Sequence, residues 1–194
     1  MPVSARSADH NGAVSELFPD APKGVPGYHK YEVSVFLDRA KRVYEGSENG
    51  ITSSDIRQVI FTLTPKNGFE TTAVDQALWR LEEAFASKER ESATQTTGEA
   101  SFYKNIRQQA QEILDRVARP RKEKFRQAPG IRVGYHQGDV DHFCDRLVRY
   151  FQGDEPLSVA TVRNQKFRTQ LGGYDEIQVD KVLDETVSVI LAVR

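Results

Sequence analysis

The chain has one cysteine, one methionine and one tryptophan among its 194 residues. A single cysteine excludes an intrachain disulfide and a cysteine-ligated zinc site. Neither sign of charge is in excess: 27 Lys and Arg against 28 Asp and Glu leave a formal net charge of −1. No global field therefore draws the chain to nucleic acid or an anionic surface. No apolar run approaches membrane-spanning length, and the stretch MPVSARSADHNGAVSELF lacks a signal core. The expected setting is the cytoplasm. Phosphate-loop, dinucleotide, zinc-protease and nucleophile-elbow patterns are missing too. Composition and motifs lead to the expectation of a non-enzyme with no cofactor and no metal.

What the chain does have is repetition, which is read before any single motif. Four stretches align without gaps: GYHKYEVSVFLDR at 27–39, GFETTAVDQALWR at 68–80, GYHQGDVDHFCDR at 134–146 and GYDEIQVDKVLDE at 173–185. Each opens on glycine (Gly27, Gly68, Gly134, Gly173) and then an aromatic (Tyr28, Phe69, Tyr135, Tyr174). Six residues after the glycine stands valine (Val33, Val74, Val140, Val179). Aspartate follows that valine as Asp75, Asp141 and Asp180, with Ser34 in the first motif. The glycines lie 41 apart in the first pair and 39 apart in the second, and the pairs are offset by 107 residues. FPDAPKGVPGY at 18–28 resembles FRQAPGIRVGY at 125–135. Ile56, Arg57 and Phe61 likewise match Val162, Arg163 and Phe167.

Each motif reads as a turn feeding a helix. Glycine permits a positive-φ turn, and the aromatic is placed to cover the helix start. Asp175 with Gln178 has capping-box spacing, and Thr71 or Thr72 is the cap candidate in the second motif. Val179, Leu183, Thr186 and Ile190 then share one helix face, as do Val33, Leu37, Ala40 and Tyr44. Val140, Cys144, Leu147 and Phe151 form a third face, and Val74, Leu78, Leu81 and Phe85 a fourth. Cys144 sits where the other motifs carry leucine and reads as a small buried hydrophobe. His136, Asp139, His142 and Asp145 have metal-like spacing. No other motif carries that set, so a helix-entry role explains His136 better.

Residues 157–192 carry Val162 to Phe167, Gly173-Tyr174-Asp175, Val179-Asp180 and Leu183-Asp184. This stretch resembles the N-terminal domain of the DivIVA family of bacterial cell-division and polar-growth proteins. Residues 51–87 fit the same frame more loosely through Ile56, Phe61, Gly68-Phe69, Val74-Asp75 and Leu78. The resemblance implies a non-enzymatic interaction or scaffold protein with partners in division or polar-growth machinery. Family members that bind membranes present a bulky apolar residue and a basic neighbour just before the glycine. The pairs here are Val25-Pro26, Lys66-Asn67, Arg132-Val133 and Leu171-Gly172, so Leu171 is the candidate membrane contact.

Residues 71–90 read as one helix, SATQTTGE at 92–99 as a polar break, and 101–118 as a second helix. The segment RPRKEKFR at 119–126 supplies Arg119, Arg121, Lys122, Lys124 and Arg126, a candidate basic patch that otherwise reads as a solvated linker. The expected fold is all-α: repeated Gly-aromatic turns with amphipathic helices form two related modules joined by a helical linker. The expected map is a disordered tail at 1–16, a module at 17–90, a linker at 91–120 and a module at 121–194. Each unit has too little apolar surface to stand alone, so units pair within the chain or across a homodimer. Two other functions fit the chain. One is a peripheral protein at the inner face of the cell membrane, using Leu171 and the 119–126 stretch on anionic lipid. The other is a DNA-binding helical protein, which the acidic faces of the motif helices argue against, so nucleic acid is not an expected partner.

Overall fold

A computed structural model of the chain describes residues 17–194; the tail expected at 1–16 lies outside the described residues. The chain divides into two compact units, Met1–Glu89 and Arg90–Arg194. The described residues are mostly helical. The departure from a purely helical fold is two small antiparallel sheets, which include Gly27 and Gly134, while Gly68 and Gly173 lie beside them next to the isolated bridges of Phe69 and Tyr174.

The first unit contains β1 (Gly27–Tyr28), α1 (Lys30–Tyr44), α2 (Ser53–Gln58), β2 (Leu63–Thr64) and the start of α3 (Thr71–Thr97). Its core joins Val33 and Ala40 of α1, Ile56 of α2, and Val74, Leu78 and Phe85 of α3, with Phe61 and Phe69 between them. The α1 face is as expected except for Tyr44, which stays exposed while its ring meets Phe85 at 5.5 Å. Inside this apolar layer Arg57 meets Glu82 at 2.7 Å, with Glu82 only 1% exposed. The arginine ties α2 to α3, and so buried a carboxylate needs such a partner.

Helix α2 is only 6 residues long and starts on a complete capping box. The Thr52 side chain accepts from Asp55 N at 3.2 Å, and the Asp55 carboxylate accepts from Thr52 N at 2.8 Å. A helix this short has little propagation to support it, so the cap matters. Thr52→Ala is expected to lower the stability of the first unit by about 1 kcal/mol, read from the urea midpoint of Trp79 fluorescence. An unchanged midpoint would mean that packing alone holds α2.

The expected polar break at 92–99 is helical through Thr97. Thr94, Thr96 and Thr97 hydroxyls donate to the carbonyls of Glu91, Ser92 and Ala93 at 2.8–2.9 Å, so these residues are satisfied inside the helix. The break comes at Gly98 alone, at φ 82°. Thr71 and Thr72 are not caps: both lie in the first turn of α3, and the Glu70 carbonyl accepts from Val74 N.

The second unit contains α4 (Glu99–Val117), β3 (Val133–Tyr135), α5 (Gln137–Gln152), α6 (Val159–Arg163), β4 (Thr169–Leu171) and α7 (Glu176–Ala192). Helix α4, expected as a linker helix that either docks back on the units or dimerises, packs on α5 and α7 and buries Ile113 and Val117. The reason is α7, whose buried residues Val179, Val182, Thr186, Val187, Val189, Ile190 and Leu191 wrap more than one face. One stripe serves α6, and the remainder needs a further helix.

The segment 119–126 is exposed, as a solvated linker would be, except at Lys124 and Phe125, which are buried. Lys124 is 3% exposed and donates to the carbonyl of Val117, the last residue of α4, and to that of Arg119 just beyond it. A cation there complements the helix C-terminus and satisfies its last carbonyls.

Candidate functional site at the glycine crossing

In each unit the two Gly-aromatic segments run antiparallel across one another. Tyr28 N donates to Phe69 O at 3.0 Å and Phe69 N to Tyr28 O at 2.9 Å. Tyr135 N donates to Tyr174 O at 2.9 Å and Tyr174 N to Tyr135 O at 2.8 Å. Flanking bonds recur as well: Ala21 N to Gly68 O at 2.9 Å, and Ala128 N to Gly173 O at 2.7 Å.

The four glycines are needed for close approach, not for the positive φ that the sequence suggested. None of Gly27, Gly68, Gly134 and Gly173 is among the positive-φ residues. A Cβ on Gly134 would stand 2.2 Å from Tyr174 O, and one on Gly173 would stand 2.4 Å from Tyr135 O. On Gly27 and Gly68 the nearest backbone atoms would lie at 2.5 Å. Only a residue without a side chain lets two backbones meet there.

Just past the crossing the helices begin. Each motif valine is the fourth residue of its helix and makes an early helical bond, Val33 N to His29 O and Val179 N to Asp175 O at 3.2 Å, for example. All four valines are at most 1% exposed. The helix-entry reading of His136 matches the geometry: its side chain accepts from Asp139 N. Asp139 is taken by Arg168 at 2.6 Å, which holds its carboxyl well below the usual range, and Asp145 by Arg121 at 2.6 Å. The Asp175 box is half formed. Asp175 accepts from Gln178 N, but the Gln178 side chain accepts from Arg126 N instead of turning back.

Each aromatic is covered by a phenylalanine from the opposite segment. Tyr28 meets Phe61 at 5.5 Å and Phe69 meets Phe18 at 5.4 Å. Tyr135 meets Phe167 at 5.2 Å and Tyr174 meets Phe125 at 5.3 Å. Phe69 and Tyr174 are fully buried, whereas Tyr28 and Tyr135 are half-buried.

The hydroxyls explain the aspartates. The Tyr28 phenol faces the Asp75 carboxylate, and the Tyr135 hydroxyl donates to Asp180 at 3.4 Å. Tyr174 donates to Asp141 at 2.8 Å. Each tyrosine therefore reaches the aspartate of the opposite motif. Burial, then the nearby carboxylate, raises all three phenols, Tyr135 to about 12. Burial likewise raises the Asp75 and Asp180 carboxyls. Asp141 also accepts from Lys122 N at 2.9 Å, so this carboxylate is satisfied although it is 2% exposed. The fourth place differs at both ends. Phe69 has no hydroxyl, and opposite it Ser34 bonds back to the Lys30 carbonyl at 2.8 Å. Sequence comparison shows Ser34 and Phe69 as separate departures; only the crossing shows that they are one.

Cys144 is buried beside this network, and burial pushes its thiol up to about 12. It carries little thiolate near neutral pH and packs as a hydrophobe.

The remaining candidates lie at the surface. Leu171 is 68% exposed and pairs in the sheet with Val133, itself 56% exposed, while Ile131 is 89% exposed. The tip therefore presents Leu171 beside a second apolar side chain. Val133, named in the sequence only as half of the Arg132-Val133 pair before Gly134, lies 38 residues from Leu171, and the sheet register brings the two together. Of the five basic residues, Arg119, Arg121, Lys122 and Arg126 are exposed and Lys124 is not. Arg121 pairs with Asp145, and Arg126 pairs with Asp175 at 2.6 Å. No described helix is long and apolar enough to cross a membrane.

Comparison of the chain with protein-family models, with curated proteins and with solved structures finds no match.

Proposed function

We propose that the chain is a non-enzymatic interaction or scaffold protein, built as two related modules of paired motifs and akin to the DivIVA family. The observation that carries this reading is the glycine crossing. It occurs in both units, with the same backbone exchange and the same phenylalanine cover. Paired ion contacts support the kinship of the modules: Arg39 and Arg42 grip Glu48, as Arg146 and Arg149 grip Glu155. On this reading the residues repeated among the motifs serve the crossing, and the partner surfaces are the exposed helix faces and tips. The process, bacterial division or polar growth, comes from the resemblance at 157–192. The test is imaging of the full chain carrying a fluorescent tag in its own cell. Foci at septa or poles are expected, and uniform fluorescence would overturn the assignment.

A second reading has its own observation. Ile131, Val133 and Leu171 form an exposed apolar tip, with Arg132 among them. A tip of this kind suits the interface of an anionic membrane. Burying each such side chain contributes about 1.5–3 kcal/mol at most. On this reading the full chain floats with vesicles containing anionic lipid, and the Val133→Glu/Leu171→Glu double variant stays at the bottom. Equal flotation of both proteins, or none by either, would remove the tip as a membrane contact.

A further inference from the structure

The motifs of one chain have a choice of partners. Four of them can pair sequentially, as observed, or nested (first with fourth, second with third), or interleaved. The backbone exchange at the crossing does not discriminate, because every motif brings the same glycine and the same N–H and C=O groups. The valines do not discriminate either, since each is buried at the same place in its helix.

The tyrosine–aspartate places do. In the sequential arrangement the Tyr174 hydroxyl donates to buried Asp141 at 2.8 Å, Tyr135 reaches Asp180 at 3.4 Å at a more exposed place, and the Tyr28 phenol faces the Asp75 carboxylate. Phe69, which offers no hydroxyl, stands opposite Ser34, which offers no carboxylate and is satisfied by its own helix. Any other pairing separates Phe69 from Ser34. One tyrosine hydroxyl then faces a serine, and one aspartate faces the phenylalanine. The nested case is the worst. Asp141, 2% exposed, would lose the hydroxyl of Tyr174, and Tyr174, 0% exposed, would lose its acceptor. A buried polar group without a partner is disfavoured far more than an apolar pair at the same place.

We propose that this residue pair is a pairing code: the Ser34/Phe69 exception, set against three tyrosine–aspartate matches, makes the first motif recognise the second and the third recognise the fourth. The interaction surface is the crossing face of each motif, and the partner it fits is the sibling motif that carries the complementary residue. The code also explains why the exception occurs at two positions in one unit rather than at one position in each.

The test uses the full chain with a reporter away from the core. Val133 and Leu171 are register partners and both are exposed, so Val133→Cys and Leu171→Cys report pairing of the third and fourth motifs by forming a disulfide. The chain is refolded from urea at low concentration, oxidised, and mapped by mass spectrometry. Two double variants erase the code in opposite directions while leaving each sequential pair matched. S34D/F69Y gives every motif a tyrosine and an aspartate. D141S/Y174F gives the second unit the residues of the first. The expected result is that the parent reporter closes the 133–171 link in nearly all chains. In either double variant the fraction lacking that link rises roughly tenfold, the scale set by one unpaired buried polar group. A parent-like linked fraction in every double variant that regains parent-like helicity would overturn the code. So would failure of both variants to regain that helicity, since matched pairs would then not suffice. Stability alone does not choose a disulfide partner, so a merely structural role leaves the reporter unmoved.

Discussion

Gly173→Ala is expected to destabilise the second unit by about 4 kcal/mol or more, a loss beyond ordinary overpacking. The added Cβ would meet Tyr135 O at 2.4 Å and Gly134 O at 2.6 Å, and both are backbone atoms. Neither can retreat without breaking the Tyr135–Tyr174 exchange, and Tyr174 is fully buried just beyond it. The adjacent glycine is the control. Gly172 has φ 65° and nothing within 4 Å of a built Cβ. Asparagine tolerates that backbone region, so Gly172→Asn is expected to cost about 1 kcal/mol or less. Urea unfolding followed by far-UV circular dichroism measures both, while the single tryptophan, Trp79, reports the first unit by fluorescence. If the two glycine variants unfold at the same urea concentration, close approach is not what the motif glycine serves.

Tyr174→Ala is expected to cost the second unit about 3–5 kcal/mol, the range for removing a large buried aromatic. The ring is fully buried and packs edge-on against Phe125 at 5.3 Å. The hydroxyl is separable from the ring. Tyr174→Phe keeps the packing but takes one donor from buried Asp141, leaving Lys122 N as its named donor, and is expected to cost about 1–3 kcal/mol. Asp141→Ser is expected to cost a similar amount, because the Tyr174 hydroxyl then loses its carboxylate acceptor. The double variant should recover much of the loss, giving a coupling of about 1–3 kcal/mol in the cycle. Losses that simply add would mean that Tyr174 and Asp141 act independently, and the matched exception at Phe69 and Ser34 would lose its explanation.

The glycines, aromatics, valines and aspartates of the crossing were all visible in the alignment of four motifs. Their reasons were not. Glycine at a turn has two physical uses, positive φ and close approach, and a linear sequence does not separate them. The second needs the opposing strand, which lies 39–41 residues away. The partnership of Ser34 with Phe69 is hidden by the same separation. Leu171 and Val133 both stand before a glycine in the sequence, and only the sheet register shows that they are neighbours.

What the sequence determined by itself follows from periods of two to four residues. Helix faces, the apolar stripe after each glycine, the helix entries and the doubling of the pattern are local or internally repeated, and they can be counted along the chain. Tertiary structure decided the rest. Helix α4 joined the second unit because α7 has apolar surface that one neighbour leaves open. The polar run before Gly98 is helical, and its threonine hydroxyls are satisfied by the carbonyls of Glu91, Ser92 and Ala93 in the same helix. Lys124 went inside because a helix end offered it carbonyls. In each case the deciding partner was a backbone group or an apolar face whose availability depends on how the chain folds back, and composition carries no record of that.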